Sequence, residues 1–164
     1  MSVIDELVGA NQHFAYALGE VVKPAPPPKR KVAIVTCMDA RIVPARIFGL
    51  EEGDAHVIRN AGGRTPEALR SLVISQRLLG TEAVMVLQHT DCGMLTFTNN
   101  DLYAKVKQDL GADASDIDFL PFADLEHNVR ADVDFLRRSP LIPGNIEIRG
   151  FVYDVETRRV REMT

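Results

Sequence analysis

The chain has 164 residues, enough for one conventional hydrophobic core and too few for two. A 46% hydrophobic content supports a sizeable core, and a formal charge of −4 gives no reason to expect nucleic acid or an anionic membrane as partner. No stretch approaches the roughly 20 apolar residues that span a bilayer, and the N-terminus is acidic and amphipathic rather than a signal sequence, so the expected location is the cytoplasm.

Ser2 and Asp5 form a capping box, and Ile4, Leu7, Val8, Asn11, Ala15 and Leu18 follow helical spacing. Residues 1–22 therefore read as an N-terminal helix. Lys23-Pro24-Ala25-Pro26-Pro27-Pro28 cannot continue it, and residues 23–30 read as a stiff, extended connector. A helix on such an arm either docks on a neighbouring subunit or packs across its own domain.

Residues 31–164 alternate strands with helices. Lys31 to Cys37 is a first strand, and Ala55 to Arg59 a short second one, followed by Asn60-Ala61-Gly62-Gly63. Thr65 is the expected N-cap and Pro66 the first residue of a helix whose face carries Leu69, Leu72, Val73 and Leu79, stopped by Gly80. Ala83 to His89 is a third strand, an almost unbroken apolar run of the kind buried on both faces. Asp101 to Leu110 is one helix in an otherwise mixed, polar stretch. Phe122, Leu125, Val129, Val133 and Leu136 mark the next, halted near Pro140. Asn145 to Tyr153 is a fourth strand, and Arg158 to Met163 pairs back antiparallel to it. The expected fold is α/β in a single domain, 1–164. It has a central, mostly parallel sheet flanked by helices, an antiparallel C-terminal edge strand and an N-terminal helical arm.

Chemistry enters at two strand ends. Cys37 closes the first strand and opens Cys37-Met38-Asp39-Ala40-Arg41, while His89 closes the third and opens His89-Thr90-Asp91-Cys92-Gly93. A parallel sheet brings both ends to one edge, so two thiolates and an imidazole converge and one tetrahedral position stays free. That is the pattern of a catalytic zinc site rather than a structural one. The competing reading, two small buried hydrophobes, does not explain the matched placement, and a cytoplasmic setting argues against a disulfide. Water in the free position has its pKa lowered toward about 7, giving a zinc-bound hydroxide that attacks electrophilic carbon. Asp39 either accepts a hydrogen bond from that hydroxide or binds the metal itself, and Arg41 can grip Asp39 with two hydrogen bonds. Gly93 is read as starting a helix whose backbone N–H favours an anion such as bicarbonate, or else as a plain turn residue.

Cys-x-Asp-x-Arg at one strand end and His-x-x-Cys-Gly at a later one, in this order, resemble the β-class carbonic anhydrases. The similarity is strongest from Lys31 to Met94 and weaker in the N-terminal helix and in Arg149-Gly150-Phe151-Val152-Tyr153-Asp154. The resemblance implies one Zn2+ per chain on Cys37, His89 and Cys92, with Asp39 and Arg41 as the catalytic dyad and reversible hydration of CO2 to bicarbonate as the reaction. In an inactive form of some members the aspartate swings onto zinc, which places Asp39 among the metal ligands too. The resemblance further implies a homodimer or dimer of dimers with the N-terminal helix on the neighbouring subunit.

Three features depart from larger members: Pro24 to Arg30, just before the first strand, contains no glutamine to help hold substrate, there is no tryptophan for the allosteric bicarbonate pocket some members build, and the chain is short. They match a compact branch that also resembles carbonyl sulfide and carbon disulfide hydrolases. A zinc-binding regulatory or interaction protein without turnover is the reading from another class, opposed by the intact Asp39 and Arg41. His56 reads as a packed strand residue. His13, His127 and Tyr103 would move protons only if they faced the cleft.

Overall fold

The apolar runs pair as parallel strands. The computed structural model describes residues 2–19 and 25–163. In it β1 (Val32–Cys37), β2 (Ala55–Asn60), β3 (Ala83–His89) and β4 (Glu147–Tyr153) lie parallel, and β5 (Val160–Met163) runs antiparallel to β4. The helices are α1 (Val3–Leu18), α2 (Pro44–Phe48), α3 (Thr65–Leu79), α4 (Asn99–Leu110) and α5 (Leu125–Arg138). Strand order is β2-β1-β3-β4-β5. The chain leaves β1 toward one edge and β3 toward the other, so the order reverses between these two neighbours. In such sheets the crevice beyond the carboxyl ends at the reversal is where ligands bind. Cys37 and His89 end the two strands that flank it.

Side-chain alternation divides the core between two faces. On one, Ala33, Val35, Val84 and Val86 meet Ala68 and Leu72 of α3 and Val133 and Leu136 of α5. On the other, Ile34 and Leu87 meet Ile42, Tyr153 and the Ile47 and Phe48 side chains of α2. Leu72 and Leu136 are wholly buried, and each contributes about 2–3 kcal/mol by leaving water. Helix α5 lies so near β4 that a Cβ at Gly150 would stand 2.6 Å from Val129 Cγ1 and 2.9 Å from Val133 Cγ2. Only glycine fits that strand position.

Several boundaries differ from the sequence-based expectation. Thr65 is already helical and Arg64 is the N-cap. The cause is a partner from α5: the Asp132 carboxylate accepts the Thr65 N–H (3.1 Å), and the Thr65 hydroxyl donates to the Asp132 carbonyl (2.9 Å), so it is not free to cap. Helix α5 begins at Leu125, capped by the Asp124 side chain, which leaves Phe122 outside it. Helix α2 was not foreseen, because five residues are too few to show a period.

Helix α1 has the expected capping box, yet none of its residues is buried, and Ile4 and Leu7 are 68% and 66% exposed. Packing across its own domain is thereby corrected. The helix, expected over 1–22, ends at Leu18 with Gly19 as its C-cap, and residues 20–24, the end of that expected helix and the start of the connector, lie outside the described residues. Beyond it, the Lys29 and Arg30 N–H groups donate to the carbonyls of Gly53 and Asp54. No helix of the described residues is long and apolar enough to cross a membrane.

Candidate metal centre

Sulfur and nitrogen atoms of Cys37, His89 and Cys92 lie within 4.8 Å of one another, and all three residues are buried. The turn Ala61–Gly63 is laid against the end of β1. A Cβ at Gly63 would sit 2.9 Å from the Thr36 carbonyl carbon and 3.0 Å from the Cys37 nitrogen, and its φ of +65° is one that L side chains rarely adopt. The Asp39 N–H donates to the Cys37 sulfur (3.4 Å), and the Gly62 backbone beside it helps lower that thiol.

The donor set fits a metal on two counts. His89 Nδ1 is 2.8 Å from the Thr90 carbonyl oxygen. A carbonyl only accepts, so Nδ1 carries the proton and Nε2 presents a lone pair. Nε2 is buried and has no hydrogen-bond partner, a state that costs about 1–3 kcal/mol when nothing answers it. The free thiols of Cys37 and Cys92 lie 4.0 Å apart. Their shared hydrogen bond pulls the Cys37 thiol down, while the same contact and burial push Cys92 up. A cation between the two sulfurs would hold both as thiolates. Two sulfurs and one imidazole nitrogen suit zinc and leave a tetrahedral position open.

Asp39 stands beside this group, held by Arg41 rather than joined to the three. Arg41 Nε donates to Oδ1 (3.0 Å), its Nη2 to Oδ2 (2.7 Å) and its backbone N–H to Oδ1 (2.8 Å). These bonds hold the carboxyl well below the usual carboxylate range and raise the guanidinium. Oδ2 is 3.9 Å from His89 Nε2. Two positioning contacts escaped the sequence reading. Arg41 Nη1 also donates to the Asp91 carboxylate (2.6 Å) and Nη2 to its carbonyl (3.0 Å), from a residue in left-handed conformation (φ 56°). Arg59 donates to the carbonyls of Cys37 (3.0 Å) and Asp39 (2.7 Å). Asp91, a polar residue inside the His89–Cys92 motif, was the available signal for the first. Arg59, at a strand end beside Asn60, was the signal for the second.

Gly93 does not begin a regular helix. It opens a three-residue 3-10 turn, Gly93–Leu95, and α4 starts only at Asn99, capped by Thr98. Both the Thr96 N–H and its hydroxyl bond back to the Gly93 carbonyl and close the turn, so no regular helix starts at Gly93. His56 Nδ1 is paired with Ser75 Oγ at 2.7 Å, as a packed strand residue would be. His13 and His127 are exposed on helices, and Tyr103 donates its hydroxyl to the Ile117 carbonyl.

Opposite the polar side, the site is apolar. Cys37, Cys92 and Met94 cluster with Ala61, Leu95, Phe97 and Phe122. Behind them lies a second arginine–aspartate pair. Arg64 Nε and Nη2 donate to the two oxygens of buried Asp132 (3.0 and 3.1 Å), and Gln88, the neighbour of His89, donates to the same carboxylate (3.0 Å). Asn128 donates to Gln88 Oε1 (2.8 Å).

Comparison with known proteins gives one consistent family. Residues 32–160 match the family model described as "Carbonic anhydrase". Beta-carbonic anhydrase 1 of Mycobacterium tuberculosis is 40% identical across 100% of this chain and 99% of its own length. A crystal structure of a carbonic anhydrase from Streptococcus mutans superposes with a TM-score of 0.94 at 52% identity, covering 100% of this chain and 99% of that one. The carbon disulfide hydrolase of Saccharolobus solfataricus is 34% identical over 83% of this chain and 78% of its own.

Proposed function

Since the chain belongs to the β-carbonic anhydrase family, we propose that it catalyses the reversible hydration of CO2 to bicarbonate and a proton, at one zinc held by Cys37, His89 and Cys92. The observation that carries this reading is the unpartnered, buried His89 Nε2 facing two free thiols, beside an aspartate clamped by an arginine. Zinc bound there supplies a Lewis acid that brings the ionisation of water near neutral pH.

The chain's own groups do the rest. Thr90 fixes the His89 tautomer, so the ring faces the metal position with its lone pair. Arg41 keeps Asp39 ionised and turned from the metal. Asp39 Oδ2 accepts a hydrogen from the attacking water and so aims the oxygen lone pair at carbon. Met94 and Phe122 present an apolar surface suited to an apolar substrate. Gly93, next to Cys92, offers its backbone N–H to a bicarbonate oxygen. The single unit 1–164 works as a homodimer, with the exposed apolar stripe of α1 laid on the second copy. The free thiols are in keeping with a reducing cytoplasm.

Metal analysis with stopped-flow assay tests this. About one zinc per chain is expected, lost in Cys37→Ser, His89→Ala and Cys92→Ser because three ligands leave no redundancy. Full occupancy in His89→Ala would sink the assignment. Parallel measurement of CO2 hydration and of H2S release from COS decides the substrate, and a larger kcat/KM for COS would move the chain to the hydrolase reading. Deletion of residues 1–18 should lower dimer stability in sedimentation, and an unchanged dimer would remove α1 from the interface.

A further inference from the structure

A buried ion pair adds little stability over an apolar replacement of the same volume, so the place of Arg64–Asp132 calls for another explanation. Arg64 has a third duty: its Nη1 donates to the Leu120 carbonyl, and its guanidinium lies 5.7 Å from the centre of the Phe122 ring. Leu120 has a φ of 56°, a left-handed conformation that leucine rarely adopts and keeps only where the surroundings enforce it. The Phe122 N–H donates to the Met94 carbonyl (3.2 Å), and its ring packs on the Cys37, Cys92 and Met94 cluster. On its outer side Phe122 lines an open groove of about 440 Å³ together with Leu95, Phe97 and Pro121. With Leu95 and Phe97, the Phe122 ring therefore belongs both to the cluster around the thiols and to the wall of this groove.

We infer that Arg64, fixed by Asp132, is a positioning residue that holds Leu120 in its left-handed turn and Phe122 as the gauge of the site's apolar side, and that this ring sets preference among CO2, COS and CS2. These molecules are linear and uncharged and differ in girth and length, because sulfur is larger than oxygen. A wall of fixed position discriminates by size alone. The inference rests on the proposed hydration reaction and adds the residues that select its substrate.

The test compares kcat/KM for CO2 and for COS in the zinc-loaded parent, Phe122→Ala, Phe122→Trp, Arg64→Lys and the Arg64→Lys/Phe122→Ala double variant. Zinc release to a chromogenic chelator is followed in each. Phe122→Ala should raise the COS to CO2 ratio about tenfold, on the scale of one methylene's worth of pocket space, and speed zinc release. Phe122→Trp should lower the ratio. Arg64→Lys keeps the charge but cannot make all three contacts, so it should shift the ratio in the same direction as Phe122→Ala. In the double variant it should add nothing, since it acts through the ring. A parent active on CO2 with the ratio and release rate unmoved in Phe122→Ala overturns the inference, as does an additive Arg64→Lys effect. A parent inactive on both substrates overturns the proposed reaction and the inference with it.

Discussion

Two arginine–aspartate pairs flank the site, and they could hardly be more different. Asp39 and Arg41 are two residues apart, with the Arg41 side chain 47% exposed. Arg64 and Asp132 are 68 residues apart, with side chains 11% and 2% exposed. The first lies at the edge of solvent, where in the proposed reaction it would aim a carboxylate at the reacting atoms. The second sits behind an aromatic wall, where each of its bonds replaces water that cannot enter. The proposed division of work follows their exposure: the outer pair for chemistry, with little weight in stability, and the inner pair for the shape of the pocket and the integrity of the fold.

Removing half of the inner pair should have the largest effect. Asp132→Ala strands a buried guanidinium, and urea unfolding should show a loss of about 3–5 kcal/mol. A loss within the range of ordinary surface substitutions would erase the contrast. Asp39→Asn should leave zinc content at the parent value and lower the unfolding midpoint only slightly, while turnover falls about a hundredfold or more. An unfolding midpoint that fell as far as in Asp132→Ala would make the outer pair structural.

Acid sharpens the comparison further. The folded Asp39 carboxyl is depressed, chiefly by its hydrogen bonds from Arg41. The stabilisation it brings is therefore fully present above its unfolded pKa of about 4 and is lost as pH falls through the lower folded value. The gap in unfolding midpoint between parent and Asp39→Asn should be constant from pH 8 to about 5, then close below about 4. A gap that widened on acidification would contradict the clamp. Salt should give the smallest effect. Moving from about 0.1 M to 1 M shortens the screening length from about 10 Å to about 3 Å. The stability gap for Asp39→Asn should narrow while that for Asp132→Ala stays.

The same contrast explains what could be read from the chain. Cys37, Asp39 and Arg41 lie within one strand end, and His89 and Cys92 within another, so spacing alone was enough to bring them forward. The strand pattern carried the sheet, including the antiparallel β5. Arg64–Asp132 could not be seen, because it exists only through the docking of α3 on α5. Phe122 was misplaced for a related reason: it continues the helical spacing of Leu125, Val129, Val133 and Leu136 backward, but the Asp124 cap stops the helix short and sends the ring to the cysteines. Gly93 was drawn into a helix because a strand followed by glycine often begins one. The hydrogen bonds of Thr96 to the Gly93 carbonyl close a short turn there instead.

The reversal of strand order between β1 and β3 also governs when the site can exist during folding. Cys37 and His89 meet only through parallel pairing across the α3 crossover, in which the Thr36 hydroxyl, for one, bonds the Leu87 carbonyl 51 residues along. Such long-range pairings form slowly, since loop closure precedes the contacts that reward it. The proposed ligand set is complete only once β1 has paired with β3, so metal capture is expected to follow that slow step. Zinc present during refolding should leave the folding rate constant unchanged and appear entirely as slower unfolding.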